Sequence, residues 1–138
     1  MKDNGKVTDT WILSEINMKV ILKNFYSTDI DVPLFEYVPS SPNEFGFLAR
    51  LIVGEEKMGG EESFDVMICT PQWLISNHKA ADIIIGKHYL IVFEYNYHRI
   101  YSKFKSLIEG VEASGWEEIC SIIGRLGKWE FEDYKGNL

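Results

Sequence analysis

Residues 45–54, FGFLARLIVG, carry apolar side chains on both parities: Phe45, Phe47, Ala49, Leu51 and Val53 on one, Leu48 and Ile52 beside Gly46 and Arg50 on the other. A strand that is largely apolar on both faces needs neighbours and cover, so this stretch predicts a central strand. Shortly after it, Gly59-Gly60 offers the positive φ that a tight reversal requires. SFDVMIC (63–69) then supplies a second apolar run to return beside the first. A hairpin is the expected nucleus of the sheet.

The run ends at Cys69 and meets Thr70-Pro71. A threonine hydroxyl can accept a bond from an orphan amide of a helix start, and proline suits the first helical position because its missing N–H would have no partner there. PQWLISNHKAAD is therefore read as a short helix that buries Trp73 and Leu74. Upstream, Met18, Val20 and Leu22 alternate with Lys19 and Lys23 and predict a first strand, ended by Asp29 to Pro33 and followed by the loop-forming EYVPSSPN. Downstream, KHYLIVFEYN (87–96) predicts a fourth and again central strand, with Tyr89, Ile91, Phe93 and Tyr95 on one face.

From Tyr97 the apolar spacing changes to three and four, through Ile100 or Tyr101, Phe104, Leu107 or Ile108, and Val111, which predicts a long helix. Ser114 and Glu117 have capping-box spacing for another helix, with Trp116, Ile119, Cys120 and Ile123 as its stripe and Gly127 as its end. The tail KWEFEDY alternates Trp129 and Phe131 with acids and predicts a short edge strand. The expected class is α+β: an antiparallel sheet of about four strands with a fifth C-terminal edge strand, two long helices on one face and a short helix after the third strand. At 138 residues one domain is expected, over 18–138, with residues 1–17 as an N-terminal extension that is polar apart from Trp11, Ile12 and Leu13.

The net charge of −7 argues against nucleic acid, whose binders need a basic stripe to displace counterions. No run approaches the ~20 apolar residues that cross a bilayer, so no membrane partner is expected. Two cysteines outside any spaced framework, and an opening MKDNGKVTD unlike a secretory signal, point to a reduced cytoplasmic compartment.

Cys69 beside a helix start could be a thiolate nucleophile, with His78, His88 or His98 as its base. No local signature joins them, and the simpler reading is a small apolar filler on a strand face shared with Met67. The three histidines and two cysteines have no metal-ligand spacing, and the glycines near Lys87 and Lys128 form no phosphate loop; neither metal nor cofactor is expected. The acids are more suggestive. Glu55, Glu56, Glu61, Glu62 and Asp65 crowd the hairpin, and Glu130, Glu132 and Asp133 crowd the tail beside Trp129, Phe131 and Tyr134. Two such patches are candidates for meeting a basic partner, set against the plainer reading of a solvated hairpin and a charged edge. A closed pocket lined by Trp73, Trp116 and Trp129 would instead indicate a ligand-binding scaffold.

GEESFDVMICTPQWL, preceded by FGFLARLIVG and followed by GKHYLIVFEYN and GWEEICSIIGRLGKWEFEDY, resembles the immunity protein 8 family of bacterial polymorphic toxin systems. The likeness runs over about residues 18–134 and rests on the combination of E-S-F-D, C-T-P-x-W-L and W-E-F. It implies a small intracellular protein, monomeric or weakly dimeric, that binds the C-terminal domain of a toxin encoded nearby and blocks it without catalysis. Family members look as though they begin near MKVIL, so residues 1–17 depart from the pattern. The family carries no catalytic constellation to transfer, and Cys69, Thr70, Pro71, Trp73, Leu74, Trp116 and Trp129 are assigned to shape.

Overall fold

In the computed structural model, which describes residues 18–57 and 59–131, alternation along three successive strands sorts the side chains between two faces. Strand β1 (Val20–Tyr26) pairs antiparallel with β2 (Gly46–Glu55), and β2 with β3 (Glu61–Cys69). The register sets Phe47 opposite Ile68, Ala49 opposite Val66 and Leu51 opposite Phe64, all buried on one face with Val20, Leu22 and Phe25 of β1. The β2–β3 turn uses Gly59 at a φ of 78°, where a side chain would be strained.

Helix α1 (Pro71–Asn77) follows β3, and the chain then returns to form β4 (Tyr89–Ile91), α2 (Tyr97–Glu109), α3 (Trp116–Ile123) and β5 (Lys128–Trp129). The three- and four-residue spacing of α2 puts Ile100, Phe104 and Ile108 on one stripe, and the Asn96 side chain caps its start by accepting from the Arg99 amide at 3.1 Å. That stripe joins Ile119, Cys120 and Ile123 of α3 in the core beneath the sheet. The Phe104 ring meets Phe25 edge-on at 5.4 Å, locking α2 to β1. Tyr95 anchors the long β1–β2 connection, donating to the Leu34 carbonyl at 2.7 Å and packing on Tyr37 and Phe45; burial pushes its pKa up to about 12.

The α+β class, α2 and α3 on one face and a C-terminal edge strand are as expected, but three details differ. The fourth strand is neither long nor central: only Tyr89–Ile91 is strand, it runs parallel to β3, and the sheet order β1-β2-β3-β4 puts it at the edge. The sheet is therefore mixed, because α1 and the loop after it carry the chain back before it re-enters beside β3. The other end of the same β3 edge takes β5, with Phe64 opposite Trp129. Finally, α3 is short and lacks the capping box. Gly115 stands at its N-cap without a side-chain cap bond, so Ser114 is one residue too early.

Where β1 and β2 slip register between Leu22 and Asn24, the Leu22 amide donates to Glu109 of α2 at 3.1 Å. Burial alone would raise the Glu109 pKa, but hydrogen bonds from Lys105 and Leu22 outweigh it and hold it below the ordinary value of 4.5. A folded-state pKa below the unfolded one adds stability above the unfolded pKa, and this is lost as pH falls through the folded value. Glu109→Gln should therefore lose less stability than the wild type on acidification below pH 4.5. Identical acid limbs in denaturation curves would remove this contribution.

Candidate partner-binding surface

The corner after β3 is built by Thr70, whose side chain is fully buried. Its hydroxyl oxygen accepts from the Trp73 amide at 3.2 Å, capping α1, and from the Phe45 amide at 3.3 Å, tying the helix start to the beginning of β2. Pro71 takes the first helical position as expected. Trp73 lies flat against Gly46, where an added Cβ would stand 2.4 Å from the indole, so the tryptophan needs glycine beneath it. Trp73 and Leu74 are half-buried rather than enclosed, since α1 covers only one end of the outer sheet face.

Cys69 is opposite Gly46 in the ladder, so its side chain points to the same face as the one on which Trp73 lies. The thiol is fully buried, and burial pushes its pKa up. This is the reverse of what a thiolate nucleophile requires. The native protein should leave Cys69 unmodified by iodoacetamide at neutral pH and expose it only on unfolding; rapid native alkylation assigned to Cys69 by mass spectrometry would contradict this environment. His78 caps the end of α1 with Nδ1 3.4 Å from Asp82, and His88 Nε2 lies 2.7 Å from the Gly124 carbonyl oxygen. No group of three or more His, Cys, Asp or Glu able to hold a metal occurs among the described residues.

Most of the hairpin acids have internal partners. Asp65 takes a bidentate bond from Arg50, at 2.8 and 3.1 Å, across the outer face. Glu55 is buried and accepts the Lys57 amide, and Glu62 accepts the Trp129 indole N–H at 2.8 Å. Glu130 accepts the Ser63 hydroxyl at 2.9 Å. Glu56 and Glu61 are more exposed, each within reach of the end of a lysine: Lys19 at 3.4 Å and Lys23 at 3.8 Å. Glu132, Asp133 and Tyr134 lie outside the described residues. Trp116 and Trp129 pack against the core from different elements, while Trp73 lies over Gly46.

A second surface was not foreseen. From α1 to the start of α2 the chain exposes Ile75, Ile83, Ile84, Ile85, Ile91 and Phe93, with Ile83 94% and Phe93 78% exposed. Ile91 and Phe93 also border a cleft of about 830 Å³, lined by Leu90 through Glu94, by Pro42 and Asn43, and by Asn96, Arg99, Ile100 and Lys103 at and just before the start of α2. In sequence, LIVF looks like strand core; only its edge position brings it to the surface.

No helix among the described residues is long and apolar enough to cross a membrane. No curated protein and no solved structure matches the chain. A family model described as immunity protein 8 matches residues 20–134, from the first strand through the tail. That span takes in every described element and most of the 138 residues, and the chain belongs to the immunity protein 8 family.

Proposed function

We propose that this protein neutralises a cognate toxin by binding its C-terminal domain in a one-to-one complex and occluding the toxin's working surface. Family membership supplies the class of function. The observation that carries the mode is a cleft bordered by the exposed Ile91 and Phe93, since exposed apolar surface of this kind is characteristic of protein contact. The buried thiol at Cys69 favours this over the thiol-enzyme alternative. The complex forms in the cytoplasm of the producing cell.

The acidic hairpin has a supporting role in this reading. Glu56 and Glu61, with the net charge of −7, draw in a basic partner at long range, while the apolar anchors decide how long it stays. Charge reversal at both, Glu56→Lys with Glu61→Lys, should slow association several-fold in dilute buffer and make little difference near 1 M salt, where screening is short. Stopped-flow rates that ignore the reversal at every ionic strength would move steering away from the hairpin. The function itself is tested by co-expression with the toxin encoded beside this gene. Protected cells and a co-purifying pair are expected; unprotected cells or no complex would refute it.

A further inference from the structure

The open edge of β4 has a definite geometry. Met67 donates its amide to the His88 carbonyl at 2.9 Å and Val92 donates to the Cys69 carbonyl at 3.0 Å. In a parallel ladder this alternation turns the backbone groups of Leu90 toward β3 and those of Tyr89 and Ile91 outward. The sheet order leaves that outer side without a strand among the described residues. Leu90 and Ile91, strand neighbours whose side chains point to opposite faces, both line the cleft, and Val92, Phe93 and Glu94 continue it just beyond the end of β4. The cleft therefore follows the edge rather than one face.

Its opposite wall carries Arg99 and Lys103, one helical turn apart on α2. Neither cation forms an ion pair among the described residues, although Glu94 also lines the cleft. Ile91, Val92, Phe93 and Ile100 line the same cleft. An extended chain fits these features: its backbone can pair with β4, an apolar side chain can lie beside the exposed Ile91 on the outer face, and a carboxylate at an alternate position, turned toward α2, can meet the two cations.

Resting on the function proposed above, we infer that the toxin domain presents an extended segment bearing an apolar residue and a carboxylate, which adds to the sheet as a strand beside β4. Net charge governs approach over long distances; this local cationic wall governs fit. The proposal concerns one segment of the partner and needs no acidic partner as a whole.

Titration calorimetry with the catalytically inactivated C-terminal domain of the neighbouring toxin tests it. The double reversal Arg99→Glu with Lys103→Glu should weaken binding by at least about tenfold. Ile91→Pro removes an outward N–H while sparing the bonds to β3, a position where edge strands tolerate proline, and should weaken binding to a similar degree. Wild-type affinity in both variants would overturn the inference and leave the function standing, whereas no complex with the wild-type chain would overturn both. If Ile91→Pro does not fold, hydrogen exchange in the wild-type complex decides. Slowed exchange at the Tyr89 and Ile91 amides is expected, and unchanged exchange there refutes strand addition.

Discussion

Phe104→Ala is expected to destabilise the protein by about 3–5 kcal/mol, the range for deleting a fully buried aromatic ring. Phe104 is completely shielded from water and sits at the middle of the α2 stripe, between Ile100 and Ile108. Its ring meets Phe25, which also contacts Tyr97 and Tyr101, so the substitution opens a void where α2 crosses β1. Neighbours can close that void only by moving a helix that is also fixed through Glu109 to Leu22. In a chain of this size the midpoint of thermal unfolding should fall by roughly 10 °C or more. Leu107, on the exposed side of the same helix, provides the contrast: Leu107→Ala should cost well under half as much. Equal losses at the two positions in denaturant titrations would show that α2 does not pack as described.

Thr70→Val is the second large expected effect, and it concerns the polar side of the same fold. The substitution keeps shape but removes the oxygen that accepts both the Trp73 and the Phe45 amides in a fully buried place. Leaving buried donors without an acceptor costs about 1–3 kcal/mol for each group, so a loss of about 2–6 kcal/mol is expected. Thr70→Ser retains the hydroxyl and should recover most of it. Such a pattern, measured by chemical denaturation, would place the importance of the C-T-P corner in the hydroxyl rather than in the neighbouring sulfur. Equal stability of the valine and serine variants would contradict the cap.

These two residues also show how unevenly the fold can be read from sequence. The Thr70-Pro71 cap, the turn at Gly59 and the stripe of α2 depend on neighbours a few positions apart, and each appears in the structure where those neighbours predict it. β4 depends on something else. Tyr89, Leu90 and Ile91 have the composition of a central strand, yet strand order and direction are set by where the chain re-enters after α1, which no local spacing records. The hairpin acids were legible as acids but not in their state. Arg50 finds Asp65, and Trp129 finds Glu62, only through strand register across 15 and 67 positions. The same register brings Gly46 under Trp73 and joins Cys69 to that buried corner. The cleft has no signature in sequence because its cations lie on α2 and most of its apolar residues on β4 and the segment that follows it, each ordinary by itself.

In the proposed function a preformed surface binds the toxin and Cys69 takes no part in chemistry. Titrating a fixed amount of the neighbouring toxin domain with this protein, while following the toxin's activity, separates binding from turnover. Inhibition should rise linearly and end sharply at one equivalent, with the same endpoint for Cys69→Ser. Complete and lasting inactivation by a small fraction of an equivalent, abolished in Cys69→Ser, would show turnover and contradict the account.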